Sequence, residues 1–154
     1  MIVIDCFIDK IWKKNNLSKI EMKKIVNECL KLTKIKAKNV FLNVSYVDSQ
    51  TMRRYNRNYR KKDSDTNVLS FENKDKQLGS TLILGEMILC FEKIKAESIE
   101  FNKPFKERLY HLFVHSILHL LGYDHVKEDD RKQMEGLEGK ILRKFGIYNP
   151  YLFG

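Results

Sequence analysis

The stretch from His115 to His125, HSILHLLGYDH, constrains this chain more than any other. His115 and His119 are four residues apart on a helical pattern, so their rings project from adjacent turns of one face. Leu109, Leu112, Phe113, Ile117, Leu118 and Leu120 occupy the other faces, which marks the helix as buried, and buried imidazoles need partners. Gly122 suits the left-handed conformation that ends a helix, and a return through Tyr123 and Asp124 presents His125 as a third ligand. One zinc ion per chain, bonded at about 2.0 to 2.1 Å, would satisfy all three rings. Three neutral imidazoles also leave a fourth position for water, as in a catalytic zinc site. His111 lies one turn upstream, but a single ion cannot bond to three consecutive turns, so it reads as a core or supporting group. Satisfied core histidines are the plainer alternative, weakened because three of the chain's four histidines fall within this one short stretch.

The rest of the pattern predicts an α+β single domain over residues 1–154, with a mixed four-stranded sheet and surrounding helices. Short strands are expected at Ile2 to Ile8, Val40 to Val47, Val68 to Phe71 and Leu82 to Cys90, the last broken only by Gly85 and Glu86. Ser18 with Glu21 forms a capping box ahead of a helix that reaches Thr33. Further helices are expected from Gln50 to Tyr59, Phe91 to Glu100 and Phe105 to Leu121. A last helix starts near Asp129, carries Met134, Leu137, Ile141 and Phe145 as one stripe, and stops at Gly146. Gly136 and Gly139 weaken it by about 1 kcal/mol each relative to alanine, so packing must hold it.

Twenty-nine Lys and Arg against 20 Asp and Glu leave a net charge of +9, a field that attracts polyanions. Between Arg53 and Lys62 the chain reads RRYNRNYRKK, with Tyr55 and Tyr59 among its cations. Cations bind phosphates and tyrosine faces stack on unpaired bases, so Arg53, Arg57, Lys61 and Tyr59 are candidates for binding single-stranded RNA. A solvated helix face is the alternative. Cys6, Cys29 and Cys90 are odd in number and set in apolar surroundings, as reduced core thiols are. No signal-peptide pattern opens the chain, and Leu112 to Leu121 is too short to span a bilayer, so a cytoplasmic protein without a membrane anchor is expected.

The histidine spacing is also that of metzincin proteases, whose residue after the first histidine is a glutamate base. Here that residue is Ser116, which cannot serve as that base, and the protease route loses its central group.

HSILHLLGYDH, YRKKDSDTNVLSF at 59–71 and LGEMILC at 84–90 together resemble the YbeY family of bacterial endoribonucleases, in order and over essentially the whole length. The resemblance implies a zinc-dependent endoribonuclease specific for single strands, acting in ribosomal RNA maturation and ribosome quality control. Ribosomal RNA is the expected partner, with ribosomal proteins or ribosome-associated factors also possible. His115, His119 and His125 match the family's metal ligands, and Arg60 matches its groove arginine, a catalytic candidate. Thr66 and Asn67 match a polar pair bordering the groove. Three positions depart from the pattern: Ser116 replaces a common glycine, Asp65 a common proline and Glu86 a usual aspartate. Glu86 joins Arg60 as a catalytic candidate able to orient water or a ligand, although rim carboxylates are often just solvated. A ribosome-binding assembly factor with a structural zinc is the alternative function.

Overall fold

Val40, Leu42, Val44 and Tyr46 alternate along strand β2 (Asn39–Val47), and all four are buried. That alternation gives the sheet one fully covered face. The structure, a computed structural model, describes residues 1–148. Strand β1 (Ile2–Ile8) pairs with β2 in parallel, β2 with β5 (Thr81–Cys90) in parallel, and β5 with β3 (Val68–Glu72) antiparallel, in the order β1-β2-β5-β3. β3 is therefore an edge strand.

A fifth strand, β4 (Gln77–Leu78), was not legible in the sequence. It has only two residues, both exposed, and turns back onto β5 at Gly79, whose φ is +60°.

The register of β2 on β5 shifts between Phe41 and Leu42, which pair with Ile83 and Gly85 and leave Leu84 as the extra residue of a bulge. Gly85 has φ +130°, and a Cβ there would stand 2.1 Å from the carbonyl oxygen of Phe71. Only glycine fits. Across the bulge the buried side chains change parity, from Leu82 and Leu84 to Met87 and Leu89, and all four stay in the main core.

That core lies between the sheet and helices α1 (Lys19–Thr33), α4 (Phe105–Leu120) and α5 (Glu128–Lys144), with α3 (Phe91–Glu100) alongside. Ser18 and Glu21 form the predicted capping box. Helix α2 (Ser49–Arg60) covers part of the opposite face, where Met52 packs with Val47, Leu69, Ile88 and Cys90. A single 3-10 turn, Lys10–Trp12, seats Trp12 fully inside, its Nε1 donating to the Val47 carbonyl at 2.8 Å and its ring against Tyr46, Phe91 and Phe105. Burial pushes the thiols of Cys29 and Cys90 up, so both stay protonated inside the core. No helix among the described residues is long and apolar enough to cross a membrane.

Candidate metal centre

Helix α4 is buried along most of its length, and its half-buried positions His111, His115 and His119 form one stripe facing a groove of about 850 Å³. The helix ends in a Schellman turn. Gly122, with φ +105°, donates its N–H to the His119 carbonyl, and Tyr123 donates to that of Leu118. A Cβ at Gly122 would meet nothing within 4 Å, so the torsion and not the space calls for glycine. The turn returns the chain so that His125 joins the groove lining.

The ring centroids of His115 and His125 are 5.1 Å apart, those of His119 and His125 6.2 Å, and those of His115 and His119 6.4 Å, with planes within 25°. As they stand, no three His, Cys, Asp or Glu side chains among the described residues close into a metal-ligand group. Their hydrogen bonding nonetheless fits a divalent transition ion. Nδ1 of His115 is 2.6 Å from Glu138 Oε1, and Nδ1 of His119 is 3.0 Å from the Tyr123 carbonyl. Anchoring one ring nitrogen on a carboxylate or carbonyl fixes the tautomer and leaves Nε2 as the metal donor.

His111 is bonded differently. Arg108 Nη1 lies 3.1 Å from its Nδ1, and a guanidinium only donates, so Nδ1 accepts. Nε2 then carries the proton and donates to Glu138 Oε2 at 2.8 Å. Both nitrogens are engaged in this arrangement. Glu138 thus holds His111 and His115 with its two oxygens while only 1% exposed. Burial pushes its carboxyl up, but the imidazole hydrogen bonds outweigh that and hold it at about 2.

The network extends along the groove wall. Arg108 donates from Nε and Nη2 to Glu97 Oε1 at 3.1 and 2.8 Å, and Asn67 Nδ2 sits 3.2 Å from both Glu97 oxygens. The sequence reading missed Glu138, Arg108 and Glu97. A signal for Glu138 was present: it falls four residues after Met134, next to Leu137, on the stripe that α5 turns inward. A carboxylate on a buried stripe requires a partner.

Arg60, Thr66 and Asn67 line the same groove as the three histidines. Ser116 is buried and hydrogen-bonded to Ser70 of β3, and Ser49 Oγ donates to Asp65 at 2.9 Å. Glu86 is not among the lining residues. Beyond the bulge it alternates with Ile88 and Cys90 on the sheet face that α2 covers, opposite Met87, Leu89 and the histidine helix. Arg53 grips Asp63 through two bonds of 2.8 and 3.0 Å, Arg57 stands 3.9 Å from the same carboxylate, and Lys61 is the exposed left-handed cap of α2. None of these three lines the groove. Tyr59 stacks on Tyr55 and meets Phe71 at a tilt, and Phe71 does line the groove.

Residues 7–146 match the family model described as Endoribonuclease YbeY. The chain belongs to the YbeY family. It is 37% identical over 144 residues to the Endoribonuclease YbeY of Fusobacterium nucleatum, covering 91% of this chain and 86% of that one. Identity is 42% over 112 residues to the Endoribonuclease YbeY of Sinorhizobium fredii, covering 71% of this chain and 65% of that relative's length. With the Endoribonuclease YbeY of Vesicomyosocius okutanii it is 46% over 108 residues, covering 70% of this chain and 74% of the other. The solution structure of TM1509 from Thermotoga maritima shares the fold, with a TM-score of 0.60 at 22% identity over 95% of this chain and 92% of that one.

Proposed function

We propose that this chain is a zinc-dependent endoribonuclease specific for single strands, acting in the cytoplasm on ribosomal RNA during maturation and quality control of the ribosome. The observation that carries the reading is the lining of one groove by His115, His119, His125 and Arg60, in a member of an endoribonuclease family. Ribosomal proteins or ribosome-associated factors are the partners such a role implies.

His115, His119 and His125 would hold the zinc, with Glu138 and the Tyr123 carbonyl orienting two of the rings. When bound, the ion supplies Lewis acidity and lowers the pKa of water toward about 7. Arg60 presents a planar fork that donates two hydrogen bonds to the non-bridging oxygens of a phosphodiester and stabilises charge developing there. Thr66 and Asn67 hold the polar wall beside it. Asn67 is itself fixed, because its Oδ1 accepts from the Val68 N–H at 2.7 Å while Nδ2 reaches Glu97. Glu86 is not among the groove-lining residues, so this reading gives it no part in phosphate contact. Peptide hydrolysis lacks support, since the Ser116 hydroxyl at the position of the protease base is buried against Ser70.

The test is cleavage of single-stranded ribosomal RNA before and after zinc removal, with the fold followed by circular dichroism. Loss of cleavage with an intact spectrum is expected. Cleavage that persists without zinc would refute the metal-dependent mechanism.

A further inference from the structure

Part of the groove lining has no task in the mechanism. Phe101, Lys103, Glu107, Arg108 and Tyr148 belong to that part of the lining. Phe101 is 51% exposed and Tyr148 81% exposed, although both are large aromatic side chains. Lys103 is half-buried and, unlike Arg108, has no ion-pair partner among the described residues. Arg108 is paired with Glu97 and Glu107 adds an acid to the lining, so Arg60 and Lys103 are the lining cations left to meet a phosphate backbone.

Phe101 and Lys103 are held in place by the backbone. Asn102 between them adopts the left-handed conformation with φ +53°, its N–H bonds to the Ile99 carbonyl, and the Lys103 N–H bonds to Ser98 at 2.9 Å. This is a Schellman turn, closed on its far side by Pro104. The Arg108 guanidinium lies 5.2 Å from the Phe101 ring centroid, so the ring is already supported by a cation. A rigid exposed aromatic beside an unpaired cation, in a groove at the upper end of single-ligand pocket sizes, is the pattern of a base-stacking platform with its phosphate contact.

We propose that Phe101 and Lys103 form a second nucleotide subsite, in which an unpaired base of the RNA stacks on Phe101 and the adjoining phosphate meets Lys103. Arg108 touches both Phe101 and His111, whereas Arg60 ends α2 beside Tyr59, which meets Phe71, so the strand would be held at two separate parts of the groove. The proposal rests on the reading of the groove as an RNA site and adds where the second half of the strand lies.

The experiment measures anisotropy of a labelled single-stranded RNA of about ten nucleotides, 2′-O-methylated against cleavage, on the zinc-loaded protein. Phe101→Leu keeps an apolar side chain but removes the ring, and should weaken binding roughly five- to a hundredfold, the range of one lost base stack. Lys103→Gln should lower the magnitude of the salt slope by about 0.7, the value for one phosphate of a single strand. The same backbone carrying abasic sugars should bind the parent and Phe101→Leu alike, which a merely structural role for Phe101 would not produce. If the parent binds the RNA and both variants bind it equally well with the same slope, this subsite is wrong and the RNA groove stands. If the parent fails to bind the RNA, both readings fall.

Discussion

Ser116, in the middle of the histidine helix, shares a hydrogen bond with Ser70 on β3, the strand that walls the groove. A glycine at 116 could offer no such link. Removing one hydroxyl leaves the other in a part-buried site without its partner, whereas removing both leaves no polar group to satisfy. Ser116→Ala should therefore cost about 1 to 2 kcal/mol in urea unfolding, and the Ser70→Ala, Ser116→Ala double variant no more than the single one. Additive losses would show that the two hydroxyls are not coupled.

Glu138 reaches His115 from α5. Glu138→Gln should weaken zinc binding about ten- to a hundredfold in competition with a chelator, the usual effect of losing a carboxylate behind a ligand imidazole. His111→Ala should keep about one zinc per chain, since His111 already uses both nitrogens on Arg108 and Glu138. Metal loss from the His111 variant with retention in His115→Ala would reverse the ligand assignment.

Arg60 lies in the groove but bonds to no core group among the described residues. Its alanine variant should retain zinc and fold yet cleave RNA about a hundred- to a thousandfold more slowly in single turnover at saturating enzyme. Lysine should restore only part of the rate, because a point charge lacks the bidentate fork. Parental rates for Arg60→Ala would remove it from the chemistry.

Acid should loosen the contact between α1 and α4. Burial pushes Glu21 up, but hydrogen bonds from Tyr110 at 2.5 Å, from Lys106 and from the Ser18 backbone outweigh it and hold its carboxyl at about 2. A depressed folded pKa stabilises above the unfolded value, here 4.5, and that stability is lost as pH falls from there toward 2. Because the pair is partly open to water, Tyr110's share is about 1 kcal/mol. Tyr110→Phe should flatten the fall of the urea midpoint over that window. Parallel pH curves for parent and variant would discount the bond.

Gly136 sits on the exposed side of α5, and a Cβ there would meet nothing within 4 Å. Gly136→Ala should raise stability by about 1 kcal/mol through helix propensity alone. An unchanged melting temperature would mean that tertiary packing already fixes this turn of the helix.

What could be read from the sequence was what neighbouring residues decide. The capping box at Ser18, the spacing of His115 and His119 and the Gly122 turn are all local, and each recurs in the structure. The orientation of Glu86 was not local. It depends on the extra residue of the Leu84 bulge, which is visible only once β5 is paired with β2. β4 eluded the reading because two exposed residues carry no alternation. The seat of Trp12 depends on partners far along the chain, from Tyr46 to Phe105. Glu138 eluded it for a similar reason, since a carboxylate shared by two imidazoles becomes apparent only when α5 lies against α4.

The grip of Asp63 on Arg53, with Arg57 close by, changes how the outer cations of α2 would meet a polyanion. A phosphate arriving there would compete with a carboxylate already paired at the surface, so part of the contact is an exchange of one ion pair for another. Such an exchange releases fewer counterions than a fresh contact and depends less steeply on salt. A single weakly placed phosphate would gain little over Asp63, whereas a strand held elsewhere on the protein would bring its next phosphates at high local concentration. If RNA does occupy the groove, the formal +9 overstates the attraction that these outer cations would add, because part of their charge is already met by Asp63.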